Sequence, residues 1–155
     1  MIAPWAKEEV AAADLHDKRL NKRLIQILSD LADRPVASIP AACGGHTETV
    51  AAYRFFDNEN VTYERVLQPH IEATRQRIGG QEVVLLVQDT TELDLTRPQQ
   101  QVVGAGPMDS EARRGAYLHL MEAFSVDGTP LGAVAAEIHK IERVDAREVA
   151  KNVFA

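Results

Sequence analysis

The spacing of apolar residues along this chain changes once, at Gly79-Gly80, and that change limits the folds open to it. Before the glycine pair, apolar residues recur at three- and four-residue intervals, the period of helices packed on a core. After it come short β-branched runs bounded by turn residues, the mark of strands. The pattern predicts an α+β protein with a helical segment at 1–78 and a sheet-forming segment at 79–155. The 155 residues, 45% hydrophobic and 26% charged, suffice for one ordinary domain, or for a small helical module joined to part of a second.

In DLHDKRLNKRLIQILSDLADRP, Leu20, Leu24, Ile27, Leu28 and Leu31 mark one face of an amphipathic helix. Asp14 or Asp17 serves as its N-cap and Pro35 closes it. On a 3.6-residue wheel Lys18, Arg19, Lys22 and Arg23 fall opposite the leucines, a stripe that reads either as a solvated face or as a phosphate dock. Then AACGGHTETVAAYRFFDNENV breaks at Gly44-Gly45 and restarts near Thr47, giving helix, glycine turn, helix. In a helix-turn-helix the start of the second helix faces a groove of DNA. Here that start offers Gly45, His46, Thr47, Glu48 and Thr49, with Arg54 in reach of a phosphate. Glu48 suits either a cytosine amine or the positive end of the helix dipole. Tyr53, Phe55 and Phe56 are expected in the core. A third helix runs from a Thr62 cap to Ile78, kinked or restarted at Pro69.

The second segment opens with Val83–Val87, an aliphatic run expected to form a strand covered on both faces, within a mixed sheet. The strand is expected at 82–88, with a further extended piece near 92–95. That places Asp89 at the carboxyl end of the strand, where open α/β sheets collect ligands; the same aspartate could equally open an Asx-turn. A polar loop follows from Arg97 to Gly115. AYLHLMEAFSV and PLGAVAAEIHKI are then two strands joined through Asp127-Gly128-Thr129, a strong hairpin signal.

Net charge is −6, but residues 1–78 hold 10 Lys+Arg against 11 Asp+Glu, so local geometry decides nucleic-acid binding more than the total does. The single cysteine, Cys43, can form neither an internal disulfide nor a thiolate zinc site. With no run near the ~18 apolar residues of a membrane helix and no secretory signal, the expected location is the cytoplasm, in association with the nucleoid.

Four blocks in order, ADLHDKRLNKRL, ASIPAACGGHTETVAAYRFFDNENVT, VVLLVQDTTELDLT and LHLMEAFSVDGTPLGAVAAEIH, resemble the N-terminal part of bacterial cut-and-paste transposases of the insertion-sequence-four, transposon-five-like type. The resemblance runs from about Trp5 to about His139. It implies a helical domain that binds transposon-end double-stranded DNA, followed by the first strands of an incomplete RNase H-like domain. Asp89, with Thr90 and Thr91, matches the first member of the family's Asp-Asp-Glu set, which implies a catalytic role and a Mg2+ or Mn2+ ligand. Such sites hold two cations about 4 Å apart to activate one oxygen and neutralise the leaving one. The family's DNA-contacting block carries over to Lys18, Arg19, Lys22, Arg23, Gly45, His46, Thr47, Thr49 and Arg54.

After Asp89 only 66 residues remain (155 − 89), and the family's second aspartate and its glutamate are not among them. Asp109, Asp127, Glu137, Glu142, Asp145 and Glu148 lack a strand-end setting, and the helix-like tail REVAKNVFA has no stop signal. The expectation is a truncated, catalytically inactive DNA-binding fragment. Two alternatives stand beside it: a regulator that pairs with full-length transposase and inhibits it, and a metal-dependent nuclease completed by homodimerisation.

Overall fold

The computed structural model describes residues 2–96, 102–110 and 112–140. The chain divides into two compact units, Met1–Val84 and Leu85–Ala155.

The first unit is five helices: α1 (Pro4–Glu9), α2 (Lys18–Asp33), α3 (Ile39–Cys43), α4 (His46–Phe56) and α5 (Tyr63–Ile78). Asp17 caps α2 by accepting from Arg19 N at 2.7 Å, while Asp14 binds the His16 N–H instead. The leucine face of α2 is the spine of the core: Leu24 and Ile27 are buried together with Val10, Leu15, Cys43, Ala52 and Phe55. Ser29, also buried, is reconciled with that core because its hydroxyl donates to Ile25 O and accepts from Ala3 N. Gly44 ends α3 at φ 77°, a left-handed conformation that disfavours a Cβ, and Gly45 begins α4 from an extended conformation. The expected helix, glycine turn, helix order is therefore present, although the first helix is a single short turn.

Two expectations about this unit are corrected, and one helix is new. Of the aromatic trio only Phe55 is core; Tyr53 and Phe56 are 52% and 47% exposed, because α4 turns one face alone to the core. Helix α5 continues through Pro69 as one element instead of restarting, its proline lying on the buried side. Helix α1 was not anticipated. Its signal, Pro4 at the first helical position, is short and is reinforced from outside: Glu9 accepts from Arg77 Nη1 at 2.8 Å and from His70 Nδ1, both on α5.

The second unit holds β1 (Val84–Asp94), β2 (Gly106–Pro107), β3 (Arg114–Ser125) and β4 (Pro130–Lys140). They make an open sheet in which β3 pairs with β1, β2 and β4. Strands β3 and β4 are antiparallel from Ala116↔Lys140 to Phe124↔Pro130, with two bulge-like shifts, and close on the expected hairpin. There Asp127 accepts from Thr129 N and Gly128 takes φ 85°. At one end of β1 Leu95 N donates to Arg114 O, and further along Thr90 meets His119, so β1 runs antiparallel to β3. The molecule is thus α+β, a helical region followed by an open sheet of a kind consistent with the opening strands of an RNase H-like domain. The mixed sheet is not found: every pairing among the described residues is antiparallel.

Candidate nucleic-acid interface

Two sequence blocks about thirty residues apart meet on one side of the helical unit. Their side chains line a groove of about 610 Å³, with Arg19, Leu20 and Arg23 from α2 facing His46, Thr47, Val50 and Arg54 from α4. The helical period explains the meeting. Leu24 and Ile27 fix α2 on the core, which turns Arg19 and Arg23 toward the neighbouring helix, while Ala52 and Phe55 seat α4 so that His46, Thr47 and Arg54 face back.

The electrostatics of the groove are positive. Arg19, Arg23 and Arg54 oppose one carboxylate, Asp17. Helix α4 also begins here, and its N-cap Gly45 supplies no side-chain acceptor to the first-turn N–H groups. The partial positive charge of that terminus favours an anion, and the Glu48 carboxylate of its own first turn already lies beside it. Leu20, Val50, Ala51 and Phe55 give the groove its apolar wall.

The remaining candidates lie outside the groove lining. Lys18 and Lys22 are exposed on α2. The Thr49 hydroxyl donates back to Gly45 O at 2.7 Å, and Gly45 itself shapes the turn. A Cβ at Gly45 would come within 2.6 Å of Glu48 Oε2, so the Glu48 carboxylate curls over the start of its own helix. That placement favours the dipole reading of Glu48 over contact with a base. Cys43 is buried, and burial pushes its thiol above the ordinary range, consistent with packing instead of reactivity.

Asp89 is not at a strand end. It lies in the middle of β1, which runs on through Thr90, Thr91 and Glu92 to Asp94. The β-branched threonines and the Leu95–Arg114 hydrogen bond extend the strand past the point where an Asx-turn would have stopped it. Nor is the aliphatic run covered on both faces: Val83, Leu85, Leu86 and Val87 are each about half exposed. The reason is local, since the described elements of this unit are strands, with no helix among them laid on β1.

The D-T-T block straddles the sheet. Asp89 accepts from Thr91 Oγ1 at 3.3 Å on one face, whereas Thr90 shares a 2.8 Å hydrogen bond with His119 Nδ1 on the other. His119 in turn packs edge-on against His139, whose Nε2 donates to Glu137 at 3.0 Å. Asp109 pairs with Arg113, and Asp127 is tied into its turn by Ser125 and Thr129. Among the described residues no group of three or more His, Cys, Asp or Glu side chains is placed to hold a metal ion. Glu142, Asp145, Glu148 and the segment 147–155 lie outside the described residues, as does part of the loop from Arg97 to Gly115.

A groove of arginines beside the start of a helix, carried on a small helical unit, has the form of a DNA-binding domain. Residues 2–61 match the family model for the transposase DNA-binding domain. The match takes in α1 to α4 and both walls of the groove, stopping just before the Thr62 cap of α5. On that finding the N-terminal part of the chain is similar to the DNA-binding domain of a transposase family. No helix among the described residues is long and apolar enough to cross a membrane.

Proposed function

We propose that this chain is an N-terminal fragment of an Asp-Asp-Glu transposase of the insertion-sequence-four type. In this reading the α2–α4 groove docks the phosphate backbone of double-stranded transposon ends, and Asp89 is the first cation-binding carboxylate of a catalytic centre whose other ligands lie elsewhere. One observation carries the docking role: Arg19, Arg23 and Arg54 line one groove with His46 and Thr47 inside the matched segment. Phosphate contacts from these arginines provide salt-sensitive affinity, and His46 and Thr47, at the tip of α4, are placed to read base edges. The Asp89 role rests on the D-T-T block and its place in the first strand of an open sheet, and no chemical step is assigned to this chain alone.

The test is fluorescence anisotropy with a short mixed-sequence DNA duplex over a range of salt. Arg23→Glu with Arg54→Glu is expected to weaken binding at least tenfold at moderate salt. It should also flatten the log–log salt dependence by about two contacts' worth, ~0.9 per phosphate. Equal binding by the wild type and the double variant would remove the groove from the interface.

A further inference from the structure

Within the groove the arginines are not equivalent. Arg19 is 91% exposed, yet its guanidinium is held by the side chain two residues before it. Nη2 donates to Asp17 Oδ2 at 2.9 Å, and Nε donates to the same carboxylate at 3.2 Å to Oδ2 and 3.3 Å to Oδ1. That Nε–Nη2 edge is the one that pairs two-pronged with a phosphate, and a carboxylate fills it with nearly the same geometry.

We propose that Asp17 gates the α2–α4 groove: a DNA phosphate engages Arg19 only by displacing the Asp17 carboxylate, so the groove binds every duplex more weakly than its arginines alone would. The inference rests on the groove being the DNA-docking face. Two physical points support it. Asp17 is the groove's one carboxylate and would stand beside any phosphate on Arg19, where like charges repel. Its second task does not need the charge: it caps α2 through Oδ1 on Arg19 N, which a neutral capping side chain performs as well.

Asp17→Asn separates the two tasks, since asparagine caps a helix about as well as aspartate but carries no charge. Asp17→Ser, also a capping residue, serves if the asparagine variant fails to fold. With a short mixed-sequence duplex as the probe and the full chain as the binder, Asp17→Asn is expected to tighten binding by about three- to tenfold. It should also steepen the log–log salt slope by about one contact, ~0.9. Adding Arg19→Gln to that variant should cancel the gain. Binding by Asp17→Asn where the wild type shows none supports the gate in its strongest form. Unchanged or weaker binding by Asp17→Asn, while Arg23→Glu still weakens it, overturns the gate alone and makes Asp17 a bystander or a support that positions Arg19. If Asp17→Asn and Arg23→Glu both match the wild type, or no variant binds even at low salt, the gate and the docking role of the groove fall together.

Discussion

At the level of single residues, the turn that aims α4 depends on a conformation, and the groove depends on charge. Gly44 sits at φ 77° with nothing within 4 Å of an added Cβ, so Gly44→Ala meets no steric clash and is penalised only through the backbone. The expected loss is about 1–2 kcal/mol, read from urea unfolding, with Gly44→Asn costing less because asparagine tolerates the left-handed region. Asp89 offers the opposite case. It is exposed on β1 and, among the described residues, accepts a long hydrogen bond from Thr91, so Asp89→Ala should change stability by less than about 0.5 kcal/mol. It should also leave DNA binding by the groove unaltered; a large destabilisation would assign Asp89 a structural role that its surroundings do not suggest.

Among the elements, α1 is held to α5 by one charged cluster, and its stability should follow pH. Burial alone would raise the Glu9 carboxyl, but hydrogen bonds from Arg77 and His70, with their charges, hold it below the usual glutamate value of 4.5. A carboxylate with a depressed folded value stabilises the fold above its unfolded value and loses that contribution as pH falls through the folded one. The α1–α5 clamp is therefore expected to loosen below about pH 4.5, visible in the fluorescence of Trp5, the chain's single tryptophan, which lies on α1. Glu9→Gln should remove most of that acid transition and cost about 1–2 kcal/mol at neutral pH. That figure is reduced from the usual worth of charged hydrogen bonds because Arg77 and His70 are 38% and 32% exposed. Helices α2, α4 and α5 and the β3–β4 hairpin were legible from the sequence because each carries its own period, cap or turn dipeptide. The α1 clamp was not, since Glu9 and Arg77 stand 68 positions apart and no local pattern joins them. The extent of β1 was hidden for the converse reason: Asp89 looks like a terminator locally, and the β3 ladder overrides it.

For the molecule as a whole, the helical unit and the sheet unit differ in how far they satisfy themselves. The first encloses a core around α2, whereas the second leaves Leu85, Leu86 and Val87 about half exposed on β1, a strand whose described partner is β3 alone. Such a surface favours association. The chain is expected to self-associate in sedimentation, and Leu86→Lys to lower that association while leaving the far-ultraviolet circular dichroism intact; association unchanged by the variant would acquit β1. The basic stripe on α2 and the polar start of α4 were readable as two features, but their union in one groove is a tertiary fact that sequence spacing does not contain. Their union is also the centre of the functional reading. It is tested most directly by titrating the labelled full chain with a short DNA duplex and following each residue by NMR. The expected result is that signals of Arg19, Arg23, His46, Thr47 and Arg54 shift first and saturate together, with those of Ala133 and Ala135 on β4 unmoved. Early shifts confined to the sheet, with the groove silent, would contradict the assignment of the α2–α4 groove as the DNA-docking face.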